Sequence, residues 1–305
     1  MAGRPYLGIA LAVVSVSTSS IFIAWSTSPF ITIALYRLAL SSLILAPLAL
    51  LDPRRSLRGL TRKEVFAMMG VGAILATHFT LWIGSLKLEG VSVSVASSVI
   101  LVTSHPLLVG VLSHFVLRER LNAWMALGIG LGFGGVVVIA IADSSARSAS
   151  LIGDLLAFLG GVAAGLYLLA GRRLRKRIPL LAYAFVVYVT ATAVLLLYAI
   201  VLRESLVPVG NLQRELLLFL AMALIPQLGG HTLYNWSLRW VTAPIVSLSL
   251  VGEPIGSSLL AWVLLNQVPG VAAGVGGALA LVGIYLTAMG QGTQMREAMA
   301  TRDIE

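Results

Sequence analysis

The chain has 305 residues, of which 58% are hydrophobic and 11% charged, with a formal net charge of +9 and no cysteine. That composition excludes a soluble domain, whose surface needs far more charge, and it excludes disulfides, thiolate chemistry and cysteine-ligated metals. Apolar stretches of about 20 residues recur along the whole length, so the fold class is all-α, a polytopic membrane protein.

Ten spans follow in chain order: Tyr6–Trp25, Phe30–Leu51, Glu64–Leu86, Val91–Phe115, Asn122–Ile141, Leu151–Gly171, Leu180–Leu202, Leu216–Trp236, Val241–Leu265 and Val268–Met289. The first has the charged start and small residues of a signal peptide, but its apolar run continues to Trp25, which predicts an uncleaved helix. Pro29 and Pro179 fall at span starts, where a missing N–H costs little. The polar stretch from Gln291 to Glu305 reads as a loose cytoplasmic tail.

With the N-terminus placed inside, sixteen Lys and Arg fall on the cytoplasmic side, including Arg54, Arg55, Arg58, Arg62 and Lys63 in one connection and Arg172, Arg173, Arg175, Lys176 and Arg177 in another. Only Lys87, Arg147, Arg203 and Arg214 fall outside. This asymmetry across short connections puts both termini in the cytoplasm.

The fourth and ninth spans share a design. Ser92, Ser94, Ser97, Ser98, Thr103 and Ser104 precede His105-Pro106, and Ser247, Ser249, Ser257 and Ser258 flank Glu253-Pro254. A shift of 148 that superposes these two dipeptides also brings Gly128 onto Gly276 and Gly135 onto Gly283. At shifts of 153 and 152, His78 and Ser85-Leu86-Lys87 match His231 and Ser237-Leu238-Arg239. The chain therefore divides into residues 1–145 and 146–290, two five-helix repeats that enter the membrane from opposite sides because five is odd. Inverted repeats of this kind typify secondary transporters.

These features, with Leu117-Arg118-Glu119-Arg120-Leu121 leading into a glycine-rich helix and Glu253-Pro254 in the ninth span, resemble the EamA-type branch of the drug/metabolite transporter superfamily. Within it the chain is most similar to bacterial aromatic amino acid exporters. The resemblance implies an inner-membrane carrier with a central cavity, working by alternating access. Two departures stand out: Asn266-Gln267 replaces an acidic residue usual in the second half, and His105 occupies a place usually held by a small polar residue.

Arg37 and Glu253 are the charges deep within spans, and a charge there is costly enough to mark function. Arg37 lies roughly 11 Å from the outer end of its helix and Glu253 about 12 Å from the outer side, so their depths agree. Three readings stand: an ion pair between them, recognition of a zwitterion with Arg37 on the carboxylate and Glu253 on the ammonium, or a proton carried by Glu253. His78 and Trp82 share a helix face, and His231, Tyr234 and Asn235 crowd another, just after Pro226-Gln227. With Ser98 and His105 they complete the candidate substrate-binding set. His114 reads as interfacial.

Pro106 and Pro254 are the candidate hinges, since each removes a backbone hydrogen bond and frees a carbonyl that water, serine or ligand must satisfy. Pro226 and Pro244 are further mid-span prolines. Gly128/Gly132, Gly130/Gly134 and Gly270/Gly274 are spaced for close helix approach, either sealing the two halves or forming a homodimer. Trp124 and Trp240 read as interface anchors; Trp25 and Trp262 read as anchors or gates.

No His-x-x-x-His or Glu-x-x-His pair within a span suggests a metal, no Gly-x-Ser-x-Gly elbow suggests a hydrolase, and no phosphate-binding loop suggests direct use of ATP. The expected function is therefore cofactor-independent secondary export of aromatic and other neutral amino acids such as threonine or methionine. Efflux of nucleosides, sugar derivatives or drugs is the alternative within transport. A membrane-embedded enzyme or a channel ranks below both.

Overall fold

A computed structural model describes residues 4–52, 57–91, 93–107, 122–146, 150–237, 249 and 252–302. The exit motif at 117–121, His114, Ser92, Pro244, Ser247 and Trp240 lie outside the described residues. Twelve α-helices are described: α1 (Arg4–Ser17), α2 (Ser19–Trp25), α3 (Phe30–Leu50), α4 (Arg62–Lys87), α5 (Val95–Val102), α6 (Ala123–Ala146), α7 (Ser150–Arg175), α8 (Leu180–Leu202), α9 (Leu212–Met222), α10 (Thr232–Ser237), α11 (Gly252–Leu265) and α12 (Val271–Arg302). Among the described residues, six helical stretches are long and apolar enough to cross a membrane, and four shorter apolar helices occupy the remaining expected spans.

Local chemistry explains where several helices start. Thr61 and Glu64 form a reciprocal capping box at α4, which satisfies donors the helix itself leaves unpaired. Ser94 accepts from the Ser97 N–H at α5, and Asn211 accepts from the Arg214 N–H at α9. Pro29 and Pro179 take the N-cap positions of α3 and α8, as expected.

Three spans are interrupted where uniform helices are expected. The first breaks at Thr18, whose hydroxyl donates to the Ser15 carbonyl. The Ser17 carbonyl then accepts Ser257 Oγ from α11 at 3.1 Å. The eighth span passes from α9 through a π-helical turn, Ala223–His231, into α10. Pro226 lies inside that turn, and the wider i→i+5 winding accommodates a residue that cannot donate. The fourth span is helical to Val102 and turns at Thr103 and Ser104 before residues 105–107 resume the helix. Pro106 cannot bond the Val102 carbonyl, four residues earlier, so the break falls where the lost bond predicts it.

Helices α6 and α12 run antiparallel and in close contact. A side chain added at Gly128 would meet Gly283 and Thr287; one added at Gly135 would meet Gly276 and Ala280. Asn122 Nδ2 donates to the Gly290 carbonyl beyond one end of this seam, at 2.8 Å. These glycines seal one part of the chain to the other, whereas Gly130, Gly134, Gly270 and Gly274 have open space beside them. The expected glycine pairs are thus split: Gly128 and Gly132 face inward, and the other two pairs do not.

Connections gather at two ends of the bundle. At one end, the Ser26–Ser28 turn, the end of α4, the 203–211 connection and the start of α9 meet around Glu215. Glu215 accepts from Ser26 Oγ at 2.5 Å, Ser28 Oγ at 2.7 Å, the Thr27 N–H at 2.9 Å and Thr27 Oγ1 at 3.2 Å. Thr27 Oγ1 also bonds the Val209 carbonyl, and Lys87 Nζ donates to the Ser26 carbonyl at 2.5 Å. At the opposite end, Glu64 shares a surface pocket with Arg173, Lys176 and Arg177. Within that basic run Arg175 points inward, with Nε donating to the Asn235 carbonyl at 3.2 Å, so it is a structural cation as well as a topological one.

Candidate functional site

A narrow chamber lies between α1, α4, the broken fourth span, α7, the segment around His231 and the start of α11. Its walls include His78, Trp82, His105, Tyr167, Tyr234 and Glu253. About 50 Å³ is open to the centre of a water molecule, which at about 10–15 Å³ per water holds only a few waters. That volume is too small for an aromatic side chain.

The two histidines matched between the halves meet here, with His78 and His231 ring centroids 6.3 Å apart. His78 stacks on Trp82 at 5.9 Å with planes 15° apart, as their i,i+4 spacing predicts. Tyr167 approaches His231 edge-on at 6.3 Å and is fixed by Asn235 Nδ2, which donates to its hydroxyl at 2.6 Å.

The chamber presents both acceptors and donors, the latter including Trp82 Nε1 and the Tyr234 hydroxyl, neither of which has a partner within hydrogen-bond distance among the described residues. His78 Nδ1 lies 2.9 Å from the Gly160 carbonyl, and His105 Nδ1 lies 3.1 Å from the Val102 carbonyl. A carbonyl can only accept, so each neutral ring carries its proton on Nδ1 and presents Nε2 as an acceptor. The His105 contact also answers the expectation about Pro106: the carbonyl freed by proline is satisfied by the ring of the residue before it. His105 Nε2 is buried without a partner. Glu253, in the first turn of α11 beside Pro254, completes the acceptor set.

Arg37 lies off this chamber, fully buried in α3. Its Nε donates to Gln227 Oε1 at 2.8 Å, its Nη1 donates to Ser19 Oγ at 2.7 Å, and its guanidinium covers the Phe79 ring at 4.3 Å. Arg37 and Glu253 are near enough for their charges to interact, but the hydrogen-bond partners of Arg37 are Gln227 and Ser19. Ser98 is also off the chamber, buried against Ser85 Oγ at 2.7 Å. Of the seven expected recognition residues, five, His78, Trp82, His105, Tyr234 and Glu253, share the chamber, Arg37 lies behind Phe79, and Ser98 lies apart.

Four further polar residues take part in these sites without a clear mark in the sequence. Tyr167 sits in a leucine-rich helix and reads as packing. Gln227 was visible beside Pro226, with nothing to signal that it faces Arg37. Glu215 was placed just outside a span, and Lys87 counted only as a topological charge. Among the described residues, no cluster of three or more His, Asp or Glu has the geometry to hold a metal.

A buried chamber carrying a few polar groups lies among closely packed apolar helices, the architecture of a multi-pass membrane protein. The EamA-like transporter family matches the chain twice, over residues 3–141 and 151–289, and the chain belongs to that family, which makes it a transporter of small solutes. The same family model thus matches two successive stretches of the chain. An uncharacterized transporter from Archaeoglobus fulgidus is 28% identical over 260 residues, covering 84% of this chain and 87% of that protein. A solved crystal structure matches with a TM-score of 0.63 and 23% identity, covering 94% of this chain and 97% of the other, which supports the fold.

Proposed function

We propose that this transporter exports amino acids, aromatic and other neutral ones such as threonine or methionine, across the bacterial inner membrane by alternating access. In this reading ten transmembrane helices form two inverted repeats, residues 1–145 and 146–290, with both termini cytoplasmic. The observation that carries the reading is the separation of opposite charges: the Glu253 carboxylate in the chamber beside the acceptors of His78 and His105, and the Arg37 guanidinium behind Phe79. An ammonium suits the first set and a carboxylate the second. Trp82, Tyr167 and Tyr234 supply aromatic faces for a ring or for the ammonium. Pro106 and Pro254, each beside a polar chamber residue, are the hinges about which the walls part.

Purified protein in liposomes preloaded with labelled phenylalanine, tryptophan, threonine or methionine tests this. Saturable release that unlabelled amino acid competes is the expected result, and no release of any of the four sinks the substrate class. Replacing Glu253 with Gln should weaken release by removing the charge that meets the ammonium. The Glu253 carboxylate and its neighbouring acceptors also fit organic cations without a carboxylate, so a second reading is efflux of amines. Release of amines but not of amino acids in the same liposomes selects it.

A further inference from the structure

Behind the chamber two neighbouring buried N–H donors have no acceptor within hydrogen-bond distance among the described residues, in addition to Trp82 Nε1 on the chamber wall itself. Arg37 Nη2 and Gln227 Nε2 make no hydrogen bond, and both residues are 0% exposed. The orientation of the Gln227 amide is set, because Arg37 Nε needs the amide oxygen. The Tyr188 hydroxyl bonds Thr232 Oγ1 at 3.0 Å and also interacts with that amide, without coming within hydrogen-bond distance of its nitrogen. An unsatisfied buried donor costs about 1–3 kcal/mol, more when charged, so two together mark a place where an acceptor belongs. The amide and guanidinium frames, each about 2.3 Å across, are joined by the 2.8 Å hydrogen bond. That keeps the two free donors within about 7 Å of each other. A carboxylate, with two oxygens each accepting at about 2.9 Å, spans that distance.

Phe79 divides this niche from the chamber. Its ring carries the Arg37 guanidinium on its face at 4.3 Å, and it meets His231 edge-on at 5.4 Å and His78 at 4.8 Å, both chamber residues. Gln227 and His231 also share the π-helical turn Ala223–His231, so any rewinding of that turn moves a niche residue and a chamber residue together. The chamber alone is too small for an amino acid, and the niche alone lacks an acceptor.

We infer that Arg37 and Gln227 form a carboxylate receptor, that Phe79 is the movable partition in front of it, and that displacement of this ring joins niche and chamber into one site for a carboxylate-bearing amphiphile. The inference rests on the transport reading above but adds the ligand group, its second donor and the partition.

The test is binding to the purified full chain, read by tryptophan fluorescence, with phenylalanine, phenylalaninamide and 3-phenylpropanoate as probes. The variant Gln227→Glu keeps the fold by giving Arg37 an internal carboxylate, which should occupy the receptor. The expected result is a loss of about tenfold or more in affinity for phenylalanine and 3-phenylpropanoate, with phenylalaninamide changed less than about twofold. Unchanged affinity for both carboxylates overturns the receptor. If 3-phenylpropanoate binds in a Gln227-dependent way while phenylalanine does not bind, the amino acid reading falls and the receptor stands. Phe79→Leu thins the partition and should speed association of 3-phenylpropanoate by about threefold or more; an unchanged rate overturns the role given to Phe79.

Discussion

Replacing Glu215 with alanine should open the end of the transporter that this residue holds shut. Its carboxylate ties the turn between the first two spans to the start of α9, with three contacts at 2.9 Å or shorter. Each hydrogen bond to a charged group contributes about 1.5–3 kcal/mol net. The bonds share one acceptor, and water replaces part of them once the side chain is gone, so the loss is about 2–4 kcal/mol rather than their sum. At about 1.4 kcal/mol per factor of ten, the balance between closed and open shifts roughly 30- to 800-fold. The chain has no cysteine, so Thr103→Cys on the chamber wall provides a unique label site. With both termini cytoplasmic, as proposed above, the Glu215 end faces outward, and in spheroplasts a membrane-impermeant maleimide should label that site at least about tenfold faster when Glu215 is replaced. Equal labelling rates in two folded proteins would refute the role of Glu215 as the closure.

The helix seam makes a paired prediction. Gly283→Val places a side chain 2.4 Å from the Gly132 nitrogen and should destabilise the protein by about 3 kcal/mol or more, whereas Gly274→Val, with open space beside it, should change the melting temperature little; equal melting by size-exclusion thermostability defeats the assignment of the seam. His105→Ala should cost about 1–3 kcal/mol by stripping the Val102 carbonyl of its partner, and His105→Asn should recover part of it. Identical melting of the two variants would mean that the ring is not the acceptor's support. Releasing Lys87 from the Ser26 carbonyl with Lys87→Met should raise external labelling at Thr103→Cys less than Glu215→Ala does, since it removes one bond; a larger effect would assign the closure to Lys87 instead.

Much of the fold is legible in the sequence because membranes impose a length and an apolar period on each span. The matched glycines Gly128 and Gly276, Gly135 and Gly283 were legible for a second reason: backbone contact tolerates no other residue, so the seam leaves a fixed spacing in both halves. The His78 and His231 encounter was legible only as a resemblance between halves, and its geometry came from packing. The unread features share a physical origin. The break at Thr18 needs Ser257 from a distant helix, the π-helical turn needs a neighbour shaped to receive it, and Gln227 acquires meaning only from Arg37, 190 residues away. Composition along one span carries no trace of such partners. Glu215 goes unmarked for a simpler reason: a carboxylate at a span end is ordinarily solvated, and only the turn at Ser26–Ser28 folds over it.

The seam between α6 and α12 also bears on ancestry. Gly128 faces Gly283 and Gly135 faces Gly276, while the internal repeat maps Gly128 onto Gly276 and Gly135 onto Gly283. Exchanging the halves therefore returns the same pair of contacts, which is the property of an isologous interface between two identical subunits. A single five-helix unit bearing these glycines would already carry a self-complementary surface. Fusion of two such units into one chain preserves that surface while freeing each copy to vary elsewhere, which is how one chamber comes to hold a histidine from each half, His78 and His231, while Trp82 of its wall corresponds at the same shift to Asn235, which does not line it.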